Sequence, residues 1–502
     1  MNIKEAKEQI IMAMKAYLAR DEWGNRLIPA ARQRPIFLLG APGIGKTQIM
    51  EQIAGELSIP LISYSMTHHN RQSALGLPII EEKDFGGEKT KVSEYTMSEI
   101  LATVYETIEE TGIPEGILFL DEINCVSETL TPSMLQFLQF KTFGRHALPE
   151  GWIVVTAGNP PEYNRTVREF DIVTLDRLKK IQVEPDFEAW KEYAFGAGIH
   201  PAVLSYLEIK KDHFYRVQAQ AGGKSFVTAR GWEDLSRMLY LFEKLGFPVD
   251  KKLTSQYLQD DKIHADFAAY YDLFKKYRSD YQIESILKGE IREDLIQRAK
   301  GARFDEKIAL LGLFVHAMEM DAEEIAEKED FLLLVLPGLK EVKEETKRKE
   351  EGEENKGLPE ILEKKAEELE AKLALLQKRG GLSARETRSH QAAISFFRDN
   401  ARGSSSFADV KAKYQKEALA LEAESQEVLS RLHNAFAFLE KAFPQGQELL
   451  LFVTELSIAK PTSRFLSHYP SEDYDRHSQN LLFSERQRDI AARASKLLLE
   501  EE

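Results

Sequence analysis

The stretch Gly40-Ala41-Pro42-Gly43-Ile44-Gly45-Lys46-Thr47 constrains the fold of this chain more than any other. It follows the apolar run Ile36-Phe37-Leu38-Leu39, which predicts a short buried strand. It precedes Gln48-Ile49-Met50-Glu51-Gln52-Ile53-Ala54, which predicts the first turns of a helix. Strand, glycine-rich turn and helix form the setting in which G-x-x-x-x-G-K-[ST] cradles phosphates. Glycines let backbone N–H groups converge on an anion, and the helix N-terminus adds its dipole and unpaired donors. In that setting Lys46 reaches the β- and γ-phosphates of a nucleotide, and the Thr47 hydroxyl ligates Mg²⁺.

A second stretch, Gly116-Ile117-Leu118-Phe119-Leu120-Asp121-Glu122, predicts a fully buried parallel strand ending in two carboxylates. Open α/β sheets bind ligands at that end of their strands. Asp121 suits Mg²⁺ held largely through water, and Glu122 suits a general base on the attacking water. Trp152 to Gly158 predicts another buried strand. It delivers Asn159, whose amide could position that water, although a Gly-Asn-Pro-Pro turn also explains an asparagine there. Five strands are expected, near Ile36, Leu61, Leu118, Ile153 and Ile181. Their alternation with helical segments predicts an α/β fold with a five-stranded parallel sheet.

Taken together, these motifs resemble AAA+ ATPases, and within them the MoxR-type, dynein-related branch. The resemblance covers roughly residues 1–250. It rests on the stretches at 40–47 and 118–124, on Thr-Ala-Gly-Asn-Pro at 156–160, on Leu-Asp-Arg-Leu at 175–178, and on Val-Thr-Ala-Arg-Gly-Trp-Glu at 227–233. It implies a P-loop NTPase fold of AAA+ type with a helical lid, binding ATP and Mg²⁺ and hydrolysing ATP. It assigns Asn159 to sensor 1, Arg177 to the arginine finger given to a neighbouring subunit, and Arg230 to sensor 2. Arg168 is a weaker trans candidate, for which a surface ion pair is the plainer reading. The resemblance also implies a homo-oligomeric ring, a hexamer in most members. Its expected client is a protein to be remodelled, assembled or activated, often one carrying a von Willebrand A domain.

The organisation expected is a nucleotide-binding domain at 1–185, with hairpin inserts at about 77–93 and 141–152, and a lid at 186–250. A helical extension at 251–340 and a charged linker at 341–358 follow. Residues 359–502 then form an all-α region. In that region Leu362 to Leu376 and Tyr414 to Leu439 keep the apolar spacing of a coiled-coil-like helical arm, read as two mated helices. The aromatics Phe267, Tyr270, Tyr271 and Phe274 read as helix-packing core.

The net charge of −15 argues against broad nucleic-acid binding, which needs a basic footprint. Cys125 is the single cysteine, so no intrachain disulfide forms and a reducing compartment is the simplest setting. The N-terminus carries Lys4, Glu5, Lys7 and Glu8, and the run Phe331 to Leu336 is too short to span a bilayer. The expectation is a soluble, cytoplasmic protein without membrane contact. Two other readings stay open on the sequence: a nucleotide-driven nucleic-acid machine, and a nucleotide-switched scaffold in which turnover is secondary.

Overall fold

Apolar strands without alternation need cover on both faces, and the central sheet is built that way. The computed structural model describes residues 1–479 except 69–71, 73, 75, 87, 164–166, 221, 222, 351–356, 380, 381, 405 and 445. Several sequence readings lie outside the described residues. The sequence also reads as a polar loop at 66–71, a turn at 221–224, a glycine break at 379–381 and a helix at 481–499; of these, residues 69–71, 221–222, 380–381 and 481–499 lie outside the described residues, as do residues 351–356 of the charged linker. The described chain divides into two compact units. One comprises Met1–Ala189, Thr228–Arg230 and Lys372–Leu382, and the other holds the rest.

The first unit begins with α1 (Ile3–Leu18), β1 (Ile36–Gly40), α2 (Lys46–Leu57) and β2 (Leu61–Ser65). The hairpin β3 (Pro78–Phe85) and β4 (Glu88–Tyr95), α3 (Glu99–Thr111), β5 (Gly116–Asp121) and α4 (Thr131–Phe140) follow. A short hairpin β6 (Thr142–Phe143) and β7 (His146–Ala147) leads to β8 (Trp152–Gly158), α5 (Ile172–Asp176) and β9 (Lys179–Val183). Helix α1 starts on a capping box between Asn2 and Glu5 and buries Ala6, Ile10, Ala13 and Met14.

The strand order is β2-β5-β8-β1-β9, parallel throughout. On one face Phe37, Leu118, Leu120 and Val154 join Ile100 and Val104 of α3 and Met134 and Phe137 of α4 in one core. Helix α2 packs against β2 and β5, and α1 against α2. The register aligns Leu39 with Gly158 and Ser65 with Asp121. The C-terminal ends of β1, β8, β5 and β2 therefore share one edge of the sheet.

The second unit carries most of α6 (Phe187–Gly196), then α7 (Pro201–Ile209), β10 (Arg216–Gln220), β11 (Gly223–Val227) and most of α8 (Ala229–Leu245). Its remaining helices are α9 (Lys251–Tyr257), α10 (Asp261–Tyr281), α11 (Ile283–Leu287), α12 (Glu293–Lys300), α13 (Phe304–Glu350), the part of α14 (Leu358–Arg379) before Lys372, α15 (Ala384–Gly403), α16 (Phe407–Ala442), α17 (Gln447–Ile458) and α18 (Lys460–His468). Phe267, Tyr270, Tyr271 and Phe274 are buried in its core. No helix among the described residues is long and apolar enough to cross a membrane.

Two local readings change. The span 186–245, read as mostly helical, contains the antiparallel pair β10–β11. Arg-Val-Gln-Ala-Gln alternates with the two-residue period of a strand, a signal too short to stand out between helices. The two helices read as mates in the arm instead share α13 as a neighbour. Val428 of α16 packs on Ala322 and Ile325 of α13, and Arg431 Nε lies 2.6 Å from Asp321 Oδ2. Lys365 of α14 pairs with Glu341 of α13. Helix α13 runs 47 residues, long enough to serve both, and it is helical through Glu350.

Truncating a side chain in the middle of β5 tests this architecture. Phe119 has no exposed surface, so Phe119→Ala should cost about 3–5 kcal/mol in urea unfolding of this unit. Ile80→Ala, on the β3–β4 hairpin where Ile80 is 76% exposed, should change stability by less than about 0.5 kcal/mol.

Candidate functional site

The loop between β1 and α2 is shaped by backbone that side chains resist. Gly43 and Gly45 have φ of +71° and +91°, and a Cβ on Gly43 would lie 3.0 Å from the Thr228 side chain. Helix α2 begins at Gly45 with no side-chain cap and no acidic residue in its first turn. Its N-terminal N–H groups and dipole are therefore left for an anion from outside the helix.

Lys46 is 8% exposed. Its Nζ donates to the carbonyls of Gly40 and Ala41, both at 2.8 Å, and to Asn159 Oδ1 at 2.9 Å. The strand order explains the last contact: β8 lies beside β1, so Asn159 leaves the sheet next to the loop. Burial is the largest influence on this ammonium and, with Arg230 adding to it, outweighs the attraction of Asp121 and Glu122. The pKa falls from 10.5 to about 8.

Thr47 Oγ1 donates to Asp121 Oδ2 at 3.0 Å. Asp121 Oδ1 accepts from the backbone N–H of Glu122 at 2.8 Å. Glu122 itself adopts the left-handed region, φ 54° and ψ 35°, a costly conformation for a residue with a Cβ. Its Oε2 accepts from Thr67 Oγ1 at 2.9 Å and Ser65 Oγ at 3.2 Å. The structure thus brings Lys46, Thr47, Asp121, Glu122 and Asn159 to one edge of the sheet.

The three arginines differ. Arg230 is exposed in the first turn of α8, and its backbone N–H donates to Gly43 O at 3.3 Å. Arg177 caps the end of α5, is exposed, and donates to Gln139 Oε1 of α4 at 2.6 Å. Among the described residues it makes no hydrogen bond to the loop cluster. Arg168 pairs on the surface with Glu128, and its backbone N–H donates to Asn124 O at 2.9 Å.

Sequence reasoning gave no role to Asn124, Ser65 or Thr67. The Asn124 amide is buried and donates from Nδ2 to Asn159 O at 2.8 Å, fixing the turn that presents the Asn159 side chain. A Cβ at Gly158 would fall 2.5 Å from Asn124 Oδ1, so the two positions constrain each other. A buried asparagine just after an apolar strand is a signal the sequence offered. Ser65 and Thr67 become visible only once β2 is known to lie beside β5.

The residues fit a nucleoside triphosphate with Mg²⁺. A buried ammonium with a lowered pKa that touches no carboxylate among the described residues suits an anion, and the uncapped helix start points the same way. Thr47 and Asp121 offer hard oxygen ligands within 3.0 Å of each other, the donor type Mg²⁺ takes beside phosphate oxygens and waters.

Residues 36–172 match the profile of the ATPase family associated with various cellular activities (AAA). With the five-stranded parallel sheet and the loop cluster, this match supports an AAA-type ATPase domain in that part of the chain. No curated protein matches the chain closely enough to serve as a relative.

The lowered pKa of Lys46 has consequences of definite sign. Folding binds fewer protons there than the unfolded chain between about pH 8 and 10.5, so this residue's destabilising effect is relieved as pH rises through that window. Phosphate charge reverses the shift. Nucleotide binding at about pH 8.5 should therefore take up protons, and at about pH 6.5 the Lys46 contribution should vanish, because the amine is already charged. Calorimetry in buffers of different ionisation enthalpy measures the difference.

Proposed function

We propose that this chain is a ring-forming AAA+ ATPase of the MoxR type, which hydrolyses ATP to remodel, assemble or activate a protein partner. The observation that carries the reading is the convergence of Lys46 and Thr47 at the start of α2 with Asp121, Glu122 and Asn159 at the ends of two strands. Gly40 to Thr47 wrap the phosphates, and the Lys46 ammonium moves its hydrogen bonds from loop carbonyls to phosphate oxygens. Thr47 and Asp121 hold Mg²⁺, which neutralises phosphate charge when bound.

Glu122 acts as general base. Ser65 and Thr67 hold its carboxylate until water and nucleotide are in place. Asn159, braced by Asn124, orients the attacking water. Arg230 serves the same site from the start of the lid, which spans 186–250 in this reading. Arg177 serves the site of the next subunit. Its exposure on this chain and its hydrogen bond to Gln139 rather than to the loop cluster support that role. A heterologous contact that closes on itself gives the ring, taken as a hexamer. The client proposed is a protein with a von Willebrand A domain, an assignment that rests on the resemblance of the motifs.

Glu122→Gln tests the mechanism: it should bind ATP with ordinary affinity and lose about 10²–10⁴-fold in turnover. Unchanged hydrolysis would remove Glu122 from the chemistry. Arg177→Ala should lose about 10³-fold or more in turnover. Mixing it with Lys46→Ala subunits should restore part of the activity, since each variant supplies what the other lacks. Failure of the mixture to recover any activity would sink the trans assignment.

A further inference from the structure

Four helices of the second unit, α6, α7, α13 and α17, surround a small cavity. Its volume is about 40 Å³, room for about three waters or a group of about three or four non-hydrogen atoms. The walls are apolar, formed by Phe195, Leu204, Leu311, Val315 and Leu451. The polar part is unbalanced. Lys191 Nζ lies 2.7 Å from Glu208 Oε2 and also pairs with Glu455, while Lys211 Nζ lies 3.2 Å from Glu208 Oε1, so these charges are matched and Glu319 is the carboxyl left over.

Glu319 enters the same cavity from α13. Its Oε1 is sealed from solvent and, among the described residues, accepts no hydrogen bond. Burial, reinforced by the carboxylates of Glu455 and Glu323, pushes its pKa well above the usual carboxylate range. About one turn earlier His316 lines the cavity. Burial keeps its imidazole neutral, with a pKa lowered to about 4, which leaves an acceptor nitrogen. His316 and Pro201 also line a wider cleft of about 500 Å³, so the small cavity shares a wall with it.

A carboxyl oxygen without a hydrogen-bond partner among the described residues and an acceptor imidazole, both inside an apolar box, complement one ligand chemistry. An ammonium group offers three donors and a positive charge, and a short alkyl stem suits the walls. A metal ion is a poorer match, because no group of three or more His, Cys, Asp or Glu suited to a metal occurs among the described residues. We propose that this cavity binds a short primary alkylammonium ion, its charged end held by Glu319 with Glu455 and His316 as further acceptors, and its chain lying between Phe195, Leu311 and Val315.

The ammonium replaces the proton as the counter-charge of Glu319, so one proton leaves for each amine bound. The titratable groups around Glu319 are Lys191, Glu208, Glu455 and Tyr240 on the neighbouring helices, and His316 and Glu323 on its own. Lys191 and Glu208 are held charged by their mutual pairing, and burial keeps the Tyr240 phenol protonated. His316 is already neutral, so Glu319 is the group that releases the proton.

The test titrates propylammonium chloride into the full chain by calorimetry at about pH 7 in buffers of unequal ionisation enthalpy. 1-Propanol and sodium chloride are the controls. Glu319→Gln replaces a neutral acid with a neutral amide of the same shape, so it should fold as wild type does, which its melting curve checks. Saturable propylammonium binding with release of about one proton, no response to 1-propanol, and about tenfold or greater weakening in Glu319→Gln are expected. His316→Phe, which keeps a ring and removes the acceptor, should weaken binding while leaving proton release intact. Equal stabilisation by 1-propanol would show only an apolar void. The absence of a saturable signal would show a cavity that holds only water, and undiminished binding by Glu319→Gln would remove its central contact. Each of these results overturns the proposal. None bears on the nucleotide site.

Discussion

A buried ammonium that touches no carboxylate among the described residues governs the first unit. Lys46 is held by two loop carbonyls and one amide oxygen, all neutral, and burial lowers its pKa to about 8. Taking a charge out of water costs free energy, and neutral acceptors offset only part of that cost. The surrounding fold must supply the rest, and the favourable remedy is an anion. The same loop leaves the start of α2 uncapped and free of acids, so two independent sources of positive potential converge where phosphate would sit.

Holding that arrangement needs rigid support, and the sheet gives it. Five parallel strands with cover on both faces set the spacing of their ends to within the sheet's own register. Asn159 meets Lys46 because β8 adjoins β1, and Glu122 meets Ser65 because β2 adjoins β5. The left-handed backbone at Glu122 is an unfavourable conformation kept because it aims a carboxylate. Asn124 and Gly158 interlock behind Asn159 in the same way, one supplying a hydrogen bond and the other the space for it.

The second unit treats buried charge differently. Lys191 is partnered by two carboxylates, Arg431 by Asp321 and Glu284, and Glu243 by His200, Tyr271 and Arg278. Desolvated ions of this kind are tolerated where each is matched. Arg278 and the hydrogen bonds from His200 and Tyr271 hold the Glu243 carboxyl down at about 2 despite burial. Against that pattern the unmatched Glu319 stands apart. Helix α13, which carries it, is also the common neighbour of α15, α16 and α18, so it links the cavity to much of the unit's core.

The chain by itself determined the elements and their chemistry where both are local. A glycine-rich turn between strand and helix, an apolar run ending in two acids, and an amphipathic first helix are patterns within a few residues, and they specify backbone conformation and burial directly. Only the tertiary structure decided which groups meet. The β10–β11 pair was hidden by its shortness, and α13 as the shared neighbour of α14 and α16 was hidden because heptad spacing names an apolar face but not what covers it. The contacts of Lys46 with Asn159, Thr47 with Asp121 and Lys191 with Glu455 join residues far apart in the chain. Such contacts depend on strand order and helix packing, which minimise exposed apolar surface over the whole unit, and no local pattern carries that information.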